Sequence, residues 1–115
     1  MTEPTIWHNP RCSKSRQTLQ LLKHKGFDPV IVDYVKAPPS KAEITAALNM
    51  LGIGAIDLMR TKDARFKEAG LSKADAPDVL INAMLEHPIL IERPVVIHNG
   101  KAALGRPPEA VLDIL

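Results

Sequence analysis

Between Thr5 and Val35 the chain sets two short apolar runs on either side of a helix-forming segment, and this order constrains the fold more than any other feature. Thr5 to His8 has a β-branched start, an isoleucine and a tryptophan, and is closed by Asn9-Pro10, the pattern of a strand running into a turn. From Ser15 to Lys25 good helix formers follow, with Leu19 and Leu22 on one face and Gly26 where a helix can end in the left-handed conformation. Pro29 to Val35 supplies a second strand, whose Val30-Ile31-Val32 run is that of a strand covered on both faces. Strand, helix and strand in succession make a βαβ unit, and its two strands pair in parallel because the helix carries the chain back across the sheet.

The rest of the chain adds helices and then a hairpin. Ala37-Pro38-Pro39 is a stiff connector, after which Ser40 and Glu43 form a capping box ahead of the apolar face Ile44, Ala47, Leu48 and Leu51. Weaker signals place short helices at Ile56 to Arg60 and Asp63 to Ala69, and Asp75 with Pro77 opens a helix through Val79, Leu80, Ala83 and Met84. Pro94 to His98 is a Val/Ile strand, Asn99-Gly100 the strongest hairpin dipeptide, and Lys101 to Leu104 the returning partner. Pro107 suits the first position of a last helix that buries Val111, Leu112 and Leu115. The expected fold is α/β: a mixed four-stranded sheet flanked by helices, with an all-helical insert between the second and third strands, as a single domain over residues 1–115.

Charge and cysteine usage narrow the function. With 15 basic and 13 acidic side chains the formal charge is +2, too balanced to point to nucleic acid or an anionic membrane as partner. No run approaches the ~20 apolar residues of a membrane span, and Met1-Thr2-Glu3-Pro4 lacks a basic region followed by an apolar run. A single cysteine cannot form an intrachain disulfide, and no histidine pair has metal-ligand spacing. The chain reads as a soluble cytoplasmic monomer without a bound metal or cofactor.

The lone cysteine, Cys12, follows a strand and precedes a helix, which sets its sulfur near unpaired backbone N–H groups and the positive end of the helix dipole. A thiol with a pKa near ~8.5 is only about 3% ionised at pH 7, and lowering it to ~6 requires about 3.4 kcal/mol. A helix terminus supplies about 2 kcal/mol at best, so positive side chains must contribute. His8, Arg11, Lys14 and Arg16 lie within a few residues, and at least one of them is expected to face the sulfur. The residues alone leave a second reading open, in which Cys12 is a small buried hydrophobe. Cys12-Ser13-Lys14-Ser15 has serine where a dithiol motif carries its second, resolving cysteine, so any disulfide turnover needs an external thiol, from glutathione or a partner protein. Arg93 before Pro94 and Arg106 before Pro107 sit at element edges, where an arginine fork can bind a tetrahedral oxyanion or can simply be a surface charge. His24 and His87 read as surface or helix-end residues.

These motifs together resemble the glutaredoxin-coupled arsenate reductase family. The resemblance runs through His8-Asn9-Pro10-Arg11-Cys12 with Ser15-Arg16, Pro38-Pro39-Ser40, Leu58-Met59-Arg60, His87-Pro88-Ile89-Leu90-Ile91, Arg93-Pro94 and Gly105-Arg106-Pro107. It implies a thioredoxin-like fold. It implies that Cys12 attacks arsenate, that Arg60, Arg93 and Arg106 hold the oxyanion, that His8 lowers the pKa of the cysteine, and that Pro94 follows a cis peptide. Glutathione would be co-substrate and glutaredoxin the reductant. Ser13-Lys14 stand where well-known members carry Gly-Thr, and a positive φ at position 13 would suit glycine better than serine. Two other readings keep the fold but change the function: a glutathione-dependent thiol reductase without arsenate activity, and a non-enzymatic RNA polymerase-binding regulator, whose relatives switch through a Cys-x-x-Cys motif that Ser15 removes.

Overall fold

The computed structural model describes residues 3–92 and 94–115. It resolves into two compact units, one comprising Met1–Ala37 and Arg93–Leu115, the other Pro38–Glu92.

The first unit contains the whole sheet. Strand β1 is Thr5–His8, helix α1 is Ser13–His24, strand β2 is Val30–Asp33, and strands β3, Val95–His98, and β4, Lys101–Leu104, form the hairpin. The order across the sheet is β2-β1-β3-β4, with β1 parallel to β2 and antiparallel to β3. The βαβ opening and the hairpin are therefore as expected. At the hairpin tip Asn99 and Gly100 both take positive φ, 52° and 76°, the pair of left-handed residues that a type I′ turn demands. Helix α1 ends on Gly26, where the Gly26 N–H donates to Lys23 O and the Phe27 N–H to Leu22 O.

Ile6, Val96 and Ala103 face the same side of the sheet in register and meet Leu22 and Leu19 of α1 with Val111 from the C-terminal segment. Ile6, Leu22, Val96 and Val111 are fully buried, and this cluster forms a hydrophobic core on that face of the sheet. Two expectations change here. β2 is an edge strand, with Val30 55% and Ile31 49% exposed, so its apolar run does not mark a strand covered on both faces. The C-terminal segment Pro108–Ile114 is a 3-10 helix: Pro107 lies just before it, and of the three expected buried residues Val111 is covered while Leu112 is exposed. Three residues per turn bring every third side chain to one side, so neighbouring Val111 and Leu112 diverge.

The second unit is all helical. Helix α2, Lys41–Leu51, starts on the expected box: the Glu43 N–H donates to Ser40 Oγ and the Ser40 N–H to Glu43 Oε1. A 3-10 turn at Ala55–Leu58, helix α3 at Ala64–Glu68 and helix α4 at Pro77–Glu86 follow. Leu80, Ala83 and Met84 of α4 are buried as expected, whereas Val79 is 47% exposed. An isolated antiparallel bridge pairs Met59 with Ile91. Among the described residues no helix is long and apolar enough to cross a membrane.

Candidate active site

The loop between β1 and α1 is built from side-chain hydrogen bonds of Asn9 and Ser15. The Cys12 N–H donates to Asn9 O at 3.0 Å, closing a turn with Pro10 at its second position, where a fixed φ fits. The Arg11 N–H donates to Asn9 Oδ1 at 3.0 Å, and the Asn9 N–H to Ser15 Oγ at 3.0 Å. Cys12 thus arrives as the residue capping α1, with φ −93° and ψ 123°, and its carbonyl accepts the first helical bond from the Arg16 N–H. Its sulfur makes no capping bond. The N–H groups of Ser13, Lys14 and Ser15 open the helix, where no intrahelical acceptor exists and the dipole is positive. Ser13 is helical, and among the described residues Asn99 is the one non-glycine with positive φ. Position 13 therefore has no need of glycine.

Cys12 is 9% exposed, and Arg106 Nη2 donates to its Sγ at 3.6 Å. The two readings of the cysteine meet in this geometry: the thiol is largely buried and also faces a guanidinium, which favours its anion. That cation comes from 94 residues further along the chain. Arg16 turns its Nη1 to Pro10 O at 2.9 Å, while Arg11 and Lys14 are exposed. Arg106 is brought in by Gly105, whose N–H donates to Pro94 O at 2.9 Å. A Cβ at position 105 would collide with Thr18 Oγ1 and lie 2.7 Å from Pro94 Cγ, so only glycine fits.

His8 is buried at the end of β1, with Nδ1 2.6 Å from Ser15 Oγ. Burial pushes its pKa below 6.5, outweighing the nearby Asp33 carboxylate, so the imidazole is neutral at neutral pH. Ser15 is fully buried and holds both His8 and the Asn9 N–H. The serine in the place of a resolving cysteine is thus an internal tie between strand and helix.

Arg60 belongs to the helical unit, where its Nη1 donates to Asp63 Oδ2 at 3.1 Å. Asp63 caps α3 through its other oxygen, which accepts the Arg65 N–H at 2.9 Å. These hydrogen bonds and the flanking arginines hold the Asp63 carboxyl below its ordinary 3.8. Arg93 lies outside the described residues, and the Arg93–Pro94 peptide with it; the cis peptide that is described joins Arg106 to Pro107. His24 ends α1 and His87 follows α4, both exposed. Among the described residues no group of three His, Cys, Asp or Glu could hold a metal. Sequence reasoning missed Asp63 as a partner of Arg60, although an aspartate three residues on, just ahead of a short helix, is the available signal.

A model of the ArsC family matches residues 7–114. The uncharacterized protein YfgD of Escherichia coli K12 is 48% identical over 112 residues, covering 96% of this chain and 94% of the relative. A Neisseria meningitidis protein named arsenate reductase is 45% identical over 117 residues and covers both chains in full. The solved structure of arsenate reductase from Vibrio cholerae superposes with a TM-score of 0.94 at 45% identity, over 98% of each chain.

Proposed function

Because this chain belongs to the ArsC family, whose fold is thioredoxin-like, we propose that it reduces arsenate to arsenite through Cys12, with glutathione as co-substrate and glutaredoxin as the reductant. The observation that carries the reading is the 3.6 Å approach of Arg106 Nη2 to Cys12 Sγ at the N-terminus of α1. A thiolate meeting an oxyanion with about two negative charges needs a cation between them, and one is in place. The relatives named arsenate reductase, matched over nearly the whole chain, supply the substrate class.

In the proposed cycle the Cys12 thiolate attacks arsenic and one arsenate oxygen leaves as water, so an S–As bond replaces an As–O bond. The glutathione thiol then displaces a second oxygen, again as water. A glutaredoxin thiolate attacks the glutathione sulfur, and the electron pair of that S–As bond stays on arsenic, reducing it from As(V) to As(III). Glutathione departs as a mixed disulfide with glutaredoxin, and water releases arsenite from Cys12. Arg60, Arg93 and Arg106 hold the oxyanion through the cycle. His8 serves to lower the pKa of Cys12, and its tie to Ser15 keeps the Asn9–Cys12 turn in the shape that presents the thiol. With Ser15 in place of a second cysteine, the electrons must come from outside the chain. Such chemistry suits a monomer in the reducing cytoplasm.

The test is a coupled assay of NADPH oxidation with glutathione, glutathione reductase, glutaredoxin and arsenate. Signal is expected from the wild type and none from Cys12→Ser. Arsenite formation surviving in Cys12→Ser would overturn the role of the thiol, and glutathione binding without oxyanion binding would point to the thiol reductase instead.

A further inference from the structure

We infer that Asp63 is the positioning residue of Arg60, setting which edge of its guanidinium is offered to the oxyanion; the inference rests on the oxyanion-binding role given to Arg60 above. The backbone of Arg60 is pinned first. Its N–H donates to Leu90 O at 2.8 Å, Met59 beside it bridges Ile91, and the Asp63 N–H donates to Arg60 O at 3.1 Å, closing a turn. What remains to be set is the direction of a long side chain, and Asp63 Oδ2 does this by taking Nη1 at 3.1 Å.

The two oxygens of Asp63 have separate tasks. Oδ1 accepts the Arg65 N–H and stands 3.5 Å from Arg65 Nη1, while Oδ2 faces Arg60. The Asp63 side chain is 13% exposed and that of Arg60 28%, so the pair is partly withdrawn from water and the carboxylate has little freedom to swing away. A guanidinium has five N–H donors in a fixed fork, and a partner on one Nη leaves the opposite edge available for an anion. An arginine already held in one rotamer loses less freedom when the anion arrives, which tightens binding. The segment Arg60 to Arg65 also carries Lys62, so with three cations and one carboxylate it stays net positive. A competing role for Asp63, as a rival anion that must be displaced, predicts the opposite sign.

Asp63→Asn separates these tasks, because asparagine caps helices about as well as aspartate while its NH2 faces Arg60 without charge. With Arg60→Ala and the double variant it is run in the coupled assay. Asp63→Asn is expected to raise KM for arsenate about tenfold, with kcat at saturating arsenate and KM for glutathione unchanged. Arg60→Ala should raise it at least as much, and the double variant no further than Arg60→Ala alone. Asp63→Ser, which also caps α3, must reproduce the rise should the asparagine variant lose thermal stability. If Arg60→Ala raises KM while Asp63→Asn leaves it unchanged or lowers it, the positioning role falls and that of Arg60 stands. If Arg60→Ala has no effect on KM, or the wild type does not turn over arsenate, both fall.

Discussion

At the scale of single residues the site turns on one contact, between Arg106 and Cys12. An arginine–thiolate hydrogen bond is charge-assisted, and such bonds are worth about 1.5–3 kcal/mol. Removing the guanidinium should therefore shift the thiol toward its neutral, unreactive form. In Arg106→Ala, alkylation of Cys12 by iodoacetamide at about pH 7 is expected to slow roughly tenfold or more, since 1.4 kcal/mol is a factor of ten. Arg106→Lys should recover only part of the rate, because an ammonium lacks the planar fork. An unchanged rate in Arg106→Ala would mean that the guanidinium does not sustain the thiolate. Lys14 and Arg16, though nearer in sequence, should matter less: Lys14 is exposed and Arg16 is occupied by Pro10 O.

Between elements, β1 and α1 are joined inside the unit by His8 and Ser15. The folded protein resists protonating His8, whose pKa lies below 6.5, while the unfolded chain takes up that proton near 6.5. In the interval the unfolded state binds more protons, so the stability held above pH 6.5 declines as pH falls toward the lower, folded value. Urea unfolding from about pH 7.5 down to about pH 5 should show that decline, and His8→Gln should flatten it. A slope that persists in His8→Gln would assign the effect to other groups. Local chemistry made most elements readable in advance. The Ser40 box starts α2, Asn99-Gly100 turns the hairpin, and Gly26 ends α1, each acting over a few residues. The last helix was less readable, because Pro107-Pro108 marks a start without distinguishing an α-helix from the tighter 3-10 turn found.

For the whole molecule, the strand order decides which apolar residues are covered. β3 lies beside β1, so β2 is left at the edge with Ile31 half exposed, although Ile31 pairs with the fully buried Ile6. An apolar run of three residues reads the same in a central strand and at an edge, which is why Val30-Ile31-Val32 misled. The difference is measurable. Leu22→Ala opens a cavity where α1, the sheet and the C-terminal helix meet, and should cost about 2–5 kcal/mol. Ile31→Thr at the exposed edge should change stability by no more than about 0.5 kcal/mol. Denaturant melts of the two variants give the comparison, and equal losses would contradict the assigned strand order.

The sequence by itself determined where the chain turns, caps and changes from strand to helix, and so placed Cys12 at the head of α1. These features rest on hydrogen bonds and backbone preferences that close within three or four residues, and the residues making them are neighbours in the chain. The tertiary structure alone decided which cation meets the sulfur, which strand lies at the edge, and what a serine does in a resolving position. Arg106 reaches Cys12 across 94 residues, through a sheet order and the close approach of Gly105 to Thr18 and Pro94. A contact of that span is set by how the layers pack, and one sequence read along its length carries no local signal for it.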